Sequence, residues 1–99
     1  MKLRVTPWAR RHLEAIAEFL AERSPAASRV VGQRIRETVH LLANFPMIGH
    51  EGSLQGTRKM VVPGLPYIVV YQIEPGGGGT LVILGIYHGA QRRPGQEKK

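Results

Sequence analysis

Apolar residues recur along the first quarter of the chain with two different periods. Residues 2–6, KLRVT, alternate with the two-residue period of a half-buried strand, which puts Leu3 and Val5 on one face. Thr6 then takes the N-cap position and Pro7 the first turn of a helix, where a missing N–H costs nothing. The apolar face predicted for this helix consists of Ala9, Leu13, Ile16, Ala17 and Leu20. The pattern predicts a short strand followed by an amphipathic helix.

A second amphipathic helix follows with the same cap chemistry. Ser24 is its predicted cap, Pro25 stands in its first turn, and residues 44–46 end it. Its predicted buried stripe consists of Ala27, Val31, Ile35, Val39 and Leu42. Because almost no linker separates the two helices, we expect them to form an antiparallel hairpin.

The second half of the chain changes to β-branched segments. After a glycine-bearing loop, MIGHEGSLQG, three strands are predicted in TRKMVVPG, PYIVVYQI and TLVILGIYHG. The last two, joined by EPGGGGT, are so apolar that we expect both their faces to be buried, which places them in the centre of a sheet. The predicted fold is α+β with the order β-α-α-β-β-β, a helical hairpin packed on one face of a mostly antiparallel four-stranded sheet.

Length and composition predict a single small domain. A second core would leave each part of the 99 residues below the size that folds unaided, so we predict one domain at residues 1–92 and a flexible tail at 93–99. No apolar run has the length of a membrane span and the N-terminus lacks a secretion signal, which indicates a cytoplasmic protein with no membrane partner. The absence of cysteine excludes disulfides, thiolate zinc sites and cysteine nucleophiles.

The chain carries a net charge of +7, from 14 Lys and Arg against seven acidic residues, all of them glutamate. Such an excess favours an acidic partner, either nucleic acid or an acidic protein. The basic residues are spread along the sequence, so a solvated cationic surface is an equally good interpretation.

Histidines and serines do not form a recognisable metal or nucleophile motif. The four histidines lie in different predicted elements without the spacing that presents two ligands on one helix face, so neither a metal nor another cofactor is predicted. Nucleophilic serine catalysis is disfavoured because the chain has no aspartate and no G-x-S-x-G turn.

Acid–base cleavage of RNA is the chemistry that the sequence leaves open. It needs groups that move protons at the 2′-hydroxyl and the leaving oxygen, and cations for the phosphate. His88 ends the last strand, and four basic residues are candidates for phosphate or target binding: Arg58, Lys59, Arg92 and Arg93. From the residues alone we favour the simpler interpretation, in which a strand ends at His88 and the arginines bind phosphate or carboxylate.

The whole arrangement resembles the RelE/ParE superfamily of bacterial toxins from type II toxin–antitoxin, or plasmid stabilisation, modules. The resemblance runs nearly end to end, through TPWARRHLEAIAEFL, FPMIGHEG, GTRKMVVPGLPYIVVYQI and LVILGIYHGAQRRP. It implies a growth-inhibiting toxin neutralised by an acidic antitoxin that lays a helix in an apolar groove. Trp8, Leu13 and Phe19 of the first helix are the candidates for antitoxin binding. Some branches of this superfamily cut mRNA on the ribosome, whereas the ParE-like branch is associated with poisoning DNA gyrase.

The sequence departs from the ribonuclease pattern at one informative position. Ribonuclease members commonly carry an arginine after the tyrosine that opens the first central strand, and this chain has Ile68 there. We therefore favour the ParE-like branch and a block of DNA gyrase. The alternative is a ribosome-dependent, metal-independent mRNA endoribonuclease with His88, Arg58 and Tyr87 as catalytic residues, and His50 keeps that alternative open. A basic module that has lost its toxicity is the third possibility.

Overall fold

A computed structural model of the chain describes residues 1–74 and 79–89. Along the chain the elements are β1 (Lys2–Val5), α1 (Pro7–Ala21), α2 (Pro25–Asn44), β2 (His50–Glu51), β3 (Arg58–Val61), β4 (Tyr67–Ile73) and β5 (Thr80–His88). The predicted tail at 93–99, Arg92, Arg93 and most of the EPGGGGT connection lie outside the described residues. Within those residues, neither helix is both long and apolar enough to cross a membrane.

Both helices begin where their cap residues predict. The Thr6 hydroxyl accepts a hydrogen bond from the Ala9 N–H at 3.0 Å, and the Ser24 hydroxyl accepts one from the Ala27 N–H at 3.1 Å. Each bond satisfies one of the N–H groups that a helix start leaves without a partner. The Ser28 hydroxyl also donates to the Ala17 carbonyl oxygen at 2.9 Å, which ties the two helices of the hairpin together.

The strands form one mostly antiparallel sheet in the order β1-β5-β4-β3-β2. Among the strands of the described residues, only β1 and β5 pair in parallel, and the two most apolar strands occupy the centre, as predicted. The predicted count of four strands is wrong, because His50 and Glu51 of the glycine-bearing loop pair with Lys59 and Arg58 as an additional edge strand. Two residues are too few to show a two-residue period, so the sequence pattern could not reveal this strand.

One face of the sheet carries the core of the domain. The α1–α2 hairpin covers that face of β4 and β5, and the fully buried side chains there include Ala9, Ile35, Leu42, Val69, Tyr71, Leu81 and Ile83. Each large apolar side chain removed from water in this way contributes about 1.5–3 kcal/mol. The core therefore depends on the apolar stripes that were predicted for both helices.

The other face of the sheet, called here the open face, is covered by no described helix apart from the first two turns of α1. In β4 the side chains of Tyr67, Val69 and Tyr71 are buried, whereas Ile68 and Val70 between them are only half-buried. The expectation that both faces of this strand are buried is therefore wrong. The apolar residues that suggested burial on two sides instead leave half-buried apolar surface on the open face.

Candidate functional site

The pleat of the sheet separates the three candidate catalytic residues. Arg58 lies directly opposite Tyr71 and His88 opposite Tyr67, and both tyrosines belong to the buried, helix-covered face. Tyr87 precedes His88 on β5 and therefore projects from the open face. The His88 ring meets the Tyr67 ring edge-on, with centroids 5.6 Å apart. The structure thus does not bring Arg58, Tyr87 and His88 together.

Arg58 is engaged by the backbone of the loop between α2 and β2. Its Nη2 donates to the carbonyl oxygens of Gly49 at 2.6 Å and Met47 at 3.1 Å. The Tyr71 hydroxyl donates to the Pro46 carbonyl at 2.6 Å and accepts from the Gly49 N–H at 3.2 Å. Arg58 and Tyr71 therefore fix residues 46–49 against the sheet, and this bonding engages Nη2 of the guanidinium that was a candidate for phosphate binding.

A cavity of about 180 Å³ opens beside the open face, between the first turn of α1 and the sheet. This open-face pocket is lined by Trp8, Lys59, Val70, Leu84 and Tyr87 together with residues of the 52–57 loop. Lys59 supplies the charged group in this lining, which contains no acidic residue. Of the described residues singled out from the sequence, Lys59, Tyr87 and Trp8 all line this pocket.

A β-bulge gives the open-face pocket its floor. Val70 lies opposite Gly85 and Tyr71 opposite Ile83, so Leu84 is the additional residue on β5. The Tyr87 ring lies over Gly85, where a Cβ atom would come within 2.6–2.9 Å of the ring. Because a bulge is invisible to a strict two-residue pattern, Leu84 could not be recognised as a site residue from the sequence.

His12 fixes α1 to the bulged part of β5 and was not singled out by the sequence. Its Nδ1 accepts a hydrogen bond from the Ile86 N–H at 3.1 Å, and its ring centroid lies 4.8 Å from that of Tyr87 and 5.7 Å from that of Trp8. Burial, and to a smaller extent the positive charge of Arg11, lower the pKa of His12. The neutral ring that accepts from Ile86 is therefore the favoured form.

This contact predicts a loss of stability in mild acid. Because the pKa of His12 is lowered in the folded state, its neutral ring stabilises the fold fully above the ordinary pKa of 6.5. This stabilisation is lost as the pH falls through the folded pKa. His12→Asn supplies an acceptor that does not titrate, so we expect it to reduce the fall in urea-unfolding free energy between pH 7 and pH 5. His50→Asn at an exposed position is the control, and an undiminished fall in His12→Asn would contradict the assignment.

A second cavity, of about 240 Å³, lies on the helix-covered face between β1, α1 and α2. The floor of this α1–α2 crevice is apolar and is formed by Leu3, Val5, Leu13, Ile35, Val39, Ile83 and Ile86. Arg10, Arg36 and His40 complete the lining, and none of the lining residues is acidic. The crevice combines an apolar floor with a basic rim.

The three candidates for antitoxin binding lie on different parts of the surface. Leu13 lines the crevice, Trp8 lines the open-face pocket, and Phe19 is 53% exposed with the Arg23 guanidinium 4.0 Å above its ring. The basic rim of the crevice was not predicted from the sequence. Its signal was the spacing of Arg36 and His40, four residues apart on α2 beside the apolar stripe.

Comparison with known proteins gives concordant matches over nearly the whole chain. Residues 3–93 match the family described as ParE toxin of type II toxin-antitoxin system, parDE. The protein named "Putative toxin Y4kP" of Sinorhizobium fredii (strain NBRC 101917 / NGR234) is 32% identical over 93 residues, which cover 94% of this chain and 93% of that protein.

Solved structures of two toxin systems share the fold. The chromosomal ParDE TA system from P. aeruginosa includes a chain with a TM-score of 0.77 and 23% identity, covering 89% of this chain and 95% of that chain. The YoeB/ParE toxin from Agrobacterium tumefaciens gives a TM-score of 0.61 and 18% identity, covering 89% and 98%. At these identities the two matches establish the architecture.

Proposed function

The chain belongs to the ParE toxin family of type II toxin–antitoxin systems, and on that premise we propose that it arrests bacterial growth by blocking DNA gyrase and is neutralised by a cognate acidic antitoxin. The observation that carries the choice of a binding toxin over a nuclease is the dispersal of Arg58, Tyr87 and His88. We place this action in the cytoplasm, where bacterial DNA replication takes place.

Dispersal matters because RNA cleavage needs its catalytic groups around one phosphate. A general acid or base must come within hydrogen-bond reach of the proton that it moves. Tyr87 and His88 project from opposite faces of the sheet. Arg58 pairs with Tyr71 of β4 and His88 pairs with Tyr67, and these two positions are roughly 13 Å apart along the strand. This offset disfavours joint action of Arg58 and His88 on one phosphate.

Ile68 provides the second argument for a binding toxin. It lies on the open face between its cross-strand neighbours Val61 and Tyr87, in a row without charge. An apolar row of this kind cannot stabilise the charge that develops on a phosphate in the transition state. It suits contact with a protein surface, and a block of gyrase requires binding without bond cleavage.

The alternative function is ribosome-dependent mRNA cleavage, and one observation favours it. Lys59 and Tyr87 line the same pocket, and His50 lies opposite Lys59 on the neighbouring strand. These three side chains would supply a cation and two groups able to move protons. In this alternative, His50 replaces His88 as the acid–base candidate.

The antitoxin site that we propose is the α1–α2 crevice. An acidic antitoxin would place an apolar side chain on its floor, beside Leu13, and carboxylates near Arg10 and Arg36. The net charge of +7 would accelerate encounter with an acidic chain. β1 is an edge strand of the described sheet, so an extended antitoxin segment could also add a strand there.

Induction of the toxin without its antitoxin tests the proposed target. Replication and translation are followed by pulse labels for DNA and protein synthesis during the first minutes after induction. We expect DNA synthesis to fall first, with filamentation, and His88→Ala to be as toxic as the unmodified chain. A prompt fall in protein synthesis with DNA synthesis intact would contradict the gyrase proposal and favour mRNA cleavage.

A further inference from the structure

We propose that the open-face pocket is the site where the toxin binds its target, and that it receives an apolar side chain flanked by a carboxylate from a target protein. The inference rests on the proposed function in that the target is taken to be a protein. The surface and the recognition chemistry are the same whichever protein is bound.

The size of the pocket indicates a single side chain as its occupant. Pockets for small molecules usually enclose about 300–1,000 Å³. The open-face pocket encloses about 180 Å³, which is below that range and closer to the volume of one large side chain than to that of a nucleotide with its base, sugar and phosphate. Protein interfaces, in contrast, commonly centre on one large side chain that fills a pocket of the partner.

The lining of the pocket defines what that side chain must be. Val70 and Leu84 form an apolar floor, and the rings of Trp8 and Tyr87 form flat walls. Such surfaces favour an aliphatic or aromatic anchor, since each Å² of apolar surface removed from water contributes about 25 cal/mol. A polar anchor would lose its hydration without gaining equivalent hydrogen bonds.

Lys59 defines the charge of the neighbouring group. Its side chain is half-buried at the pocket, and the lining contains no acidic residue to neutralise it. A carboxylate beside the anchor would pair with Lys59, whereas a basic residue there would be repelled. The complementary feature of the target is therefore an apolar residue next to Asp or Glu.

Exposed apolar residues extend the pocket into a surface patch. Trp8 is 57% exposed and Leu54 46% exposed at the pocket itself. Val61, 57% exposed, continues the row through Ile68 to Tyr87 across three strands. Single exposed apolar side chains are ordinary, but a continuous patch around a pocket is typical of an interaction surface.

The target surface and the antitoxin crevice are on opposite faces of β5. The pocket contacts Leu84 and Tyr87, whereas the crevice contacts Ile83 and Ile86. Variants in the pocket should therefore reduce toxicity without reducing antitoxin binding. Toxicity and antitoxin affinity are therefore two independent measurements that can be made on the whole chain.

The test compares charge reversal inside and outside the pocket. Lys59→Glu should raise the toxin dose for half-maximal growth arrest by about tenfold or more, because a carboxylate facing a carboxylate is unfavourable. Trp8→Ala, at an exposed position, should have a comparable effect and replaces Lys59→Glu in the test if that variant does not fold. Arg29→Glu, an equal charge change on α2 outside both cavities, should be as toxic as the unmodified chain. Antitoxin affinity and the urea-unfolding midpoint are measured for each variant.

Toxicity that is unchanged in folded Lys59→Glu and Trp8→Ala would overturn the inference. Cleaved cellular RNA that disappears in Lys59→Glu would also overturn it, because the pocket would then bind RNA. A dimer of the unmodified toxin that is detected by analytical ultracentrifugation and is absent in Trp8→Ala would overturn it too, since a second copy would occupy the pocket. If the unmodified toxin arrests growth but leaves gyrase active, the proposal that gyrase is the target is wrong. The growth-arrest doses of Lys59→Glu and Trp8→Ala then still show whether the pocket binds the target.

Discussion

Leu13→Glu is expected to weaken antitoxin binding by about 100-fold, equivalent to about 2.7 kcal/mol, while growth arrest persists. Leu13 lies on the apolar floor of the α1–α2 crevice, with Ile35 and Ile83 among the other floor residues. A carboxylate on that floor would remove the apolar contact and repel an acidic antitoxin. Cells that produce this variant together with the antitoxin should stop growing, whereas cells with the unmodified pair should grow.

Val30→Glu is the matched control for this prediction. Val30 is also an apolar residue of the helical hairpin, but it is 54% exposed and does not line the crevice. We expect its antitoxin affinity, measured by titration calorimetry, to stay within about twofold of the unmodified chain. Because Leu13 also packs against the core, Arg10→Glu at the exposed rim provides a second variant that should not disturb folding. Unchanged affinity in both crevice variants would place the antitoxin elsewhere.

Gly49→Ala is expected to lower the free energy of unfolding by about 2–5 kcal/mol, from overpacking and from a lost hydrogen bond. A Cβ atom at this position would collide with the Tyr71 hydroxyl oxygen and lie 2.7 Å from the Lys59 carbonyl oxygen. Neither atom can move easily, because Tyr71 is fully buried and donates to the Pro46 carbonyl, and the Lys59 carbonyl belongs to a strand. Displacement of Tyr71 would also leave the Gly49 N–H without its acceptor.

Urea unfolding at neutral pH measures this effect, with Gly32→Ala as the control. Gly32 lies within α2, and the nearest atoms to a Cβ there belong to the flexible Arg36 side chain, the closest at 3.4 Å. Alanine should therefore stabilise that helix by about 0.5–1 kcal/mol. An equal and small effect of the two substitutions would contradict the role assigned to Tyr71 and the 46–49 loop.

The sequence predicted the elements of this fold well because their signals are local. Thr6 and Ser24, each followed by proline, set both helix starts, and the observed bonds from Ala9 and Ala27 confirm them. The β-branched segments likewise predicted the central strands and their place in the sheet. The fifth strand was missed because a two-residue edge pairing depends on contacts with β3 that leave no periodic pattern.

The site was harder to predict because adjacency in sequence is not adjacency in a sheet. Tyr87 and His88, and likewise Arg58 and Lys59, are consecutive residues that the pleat sends to opposite faces. The strands were expected to be buried on both faces, which concealed the open face where Tyr87 and Lys59 meet Trp8. The role of Arg58 depends on loop carbonyls that no sequence motif indicates.

The departure at Ile68 is the sequence signal on which the proposed choice of target depends. It indicated a missing phosphate contact, and the structure places this residue in the uncharged row between Val61 and Tyr87. The preference for a gyrase-directed toxin therefore rests on Ile68 and, separately, on the dispersal of Arg58, Tyr87 and His88 over the sheet.

A supercoiling assay with purified components tests the central proposal most directly. Bacterial DNA gyrase, relaxed plasmid and ATP are incubated with increasing amounts of the toxin, with and without an excess of its antitoxin. We predict that supercoiling falls as toxin is added, that antitoxin restores it, and that His88→Ala inhibits as strongly as the unmodified chain. Full supercoiling at saturating toxin, with a preparation that arrests growth when produced in cells, would contradict the account.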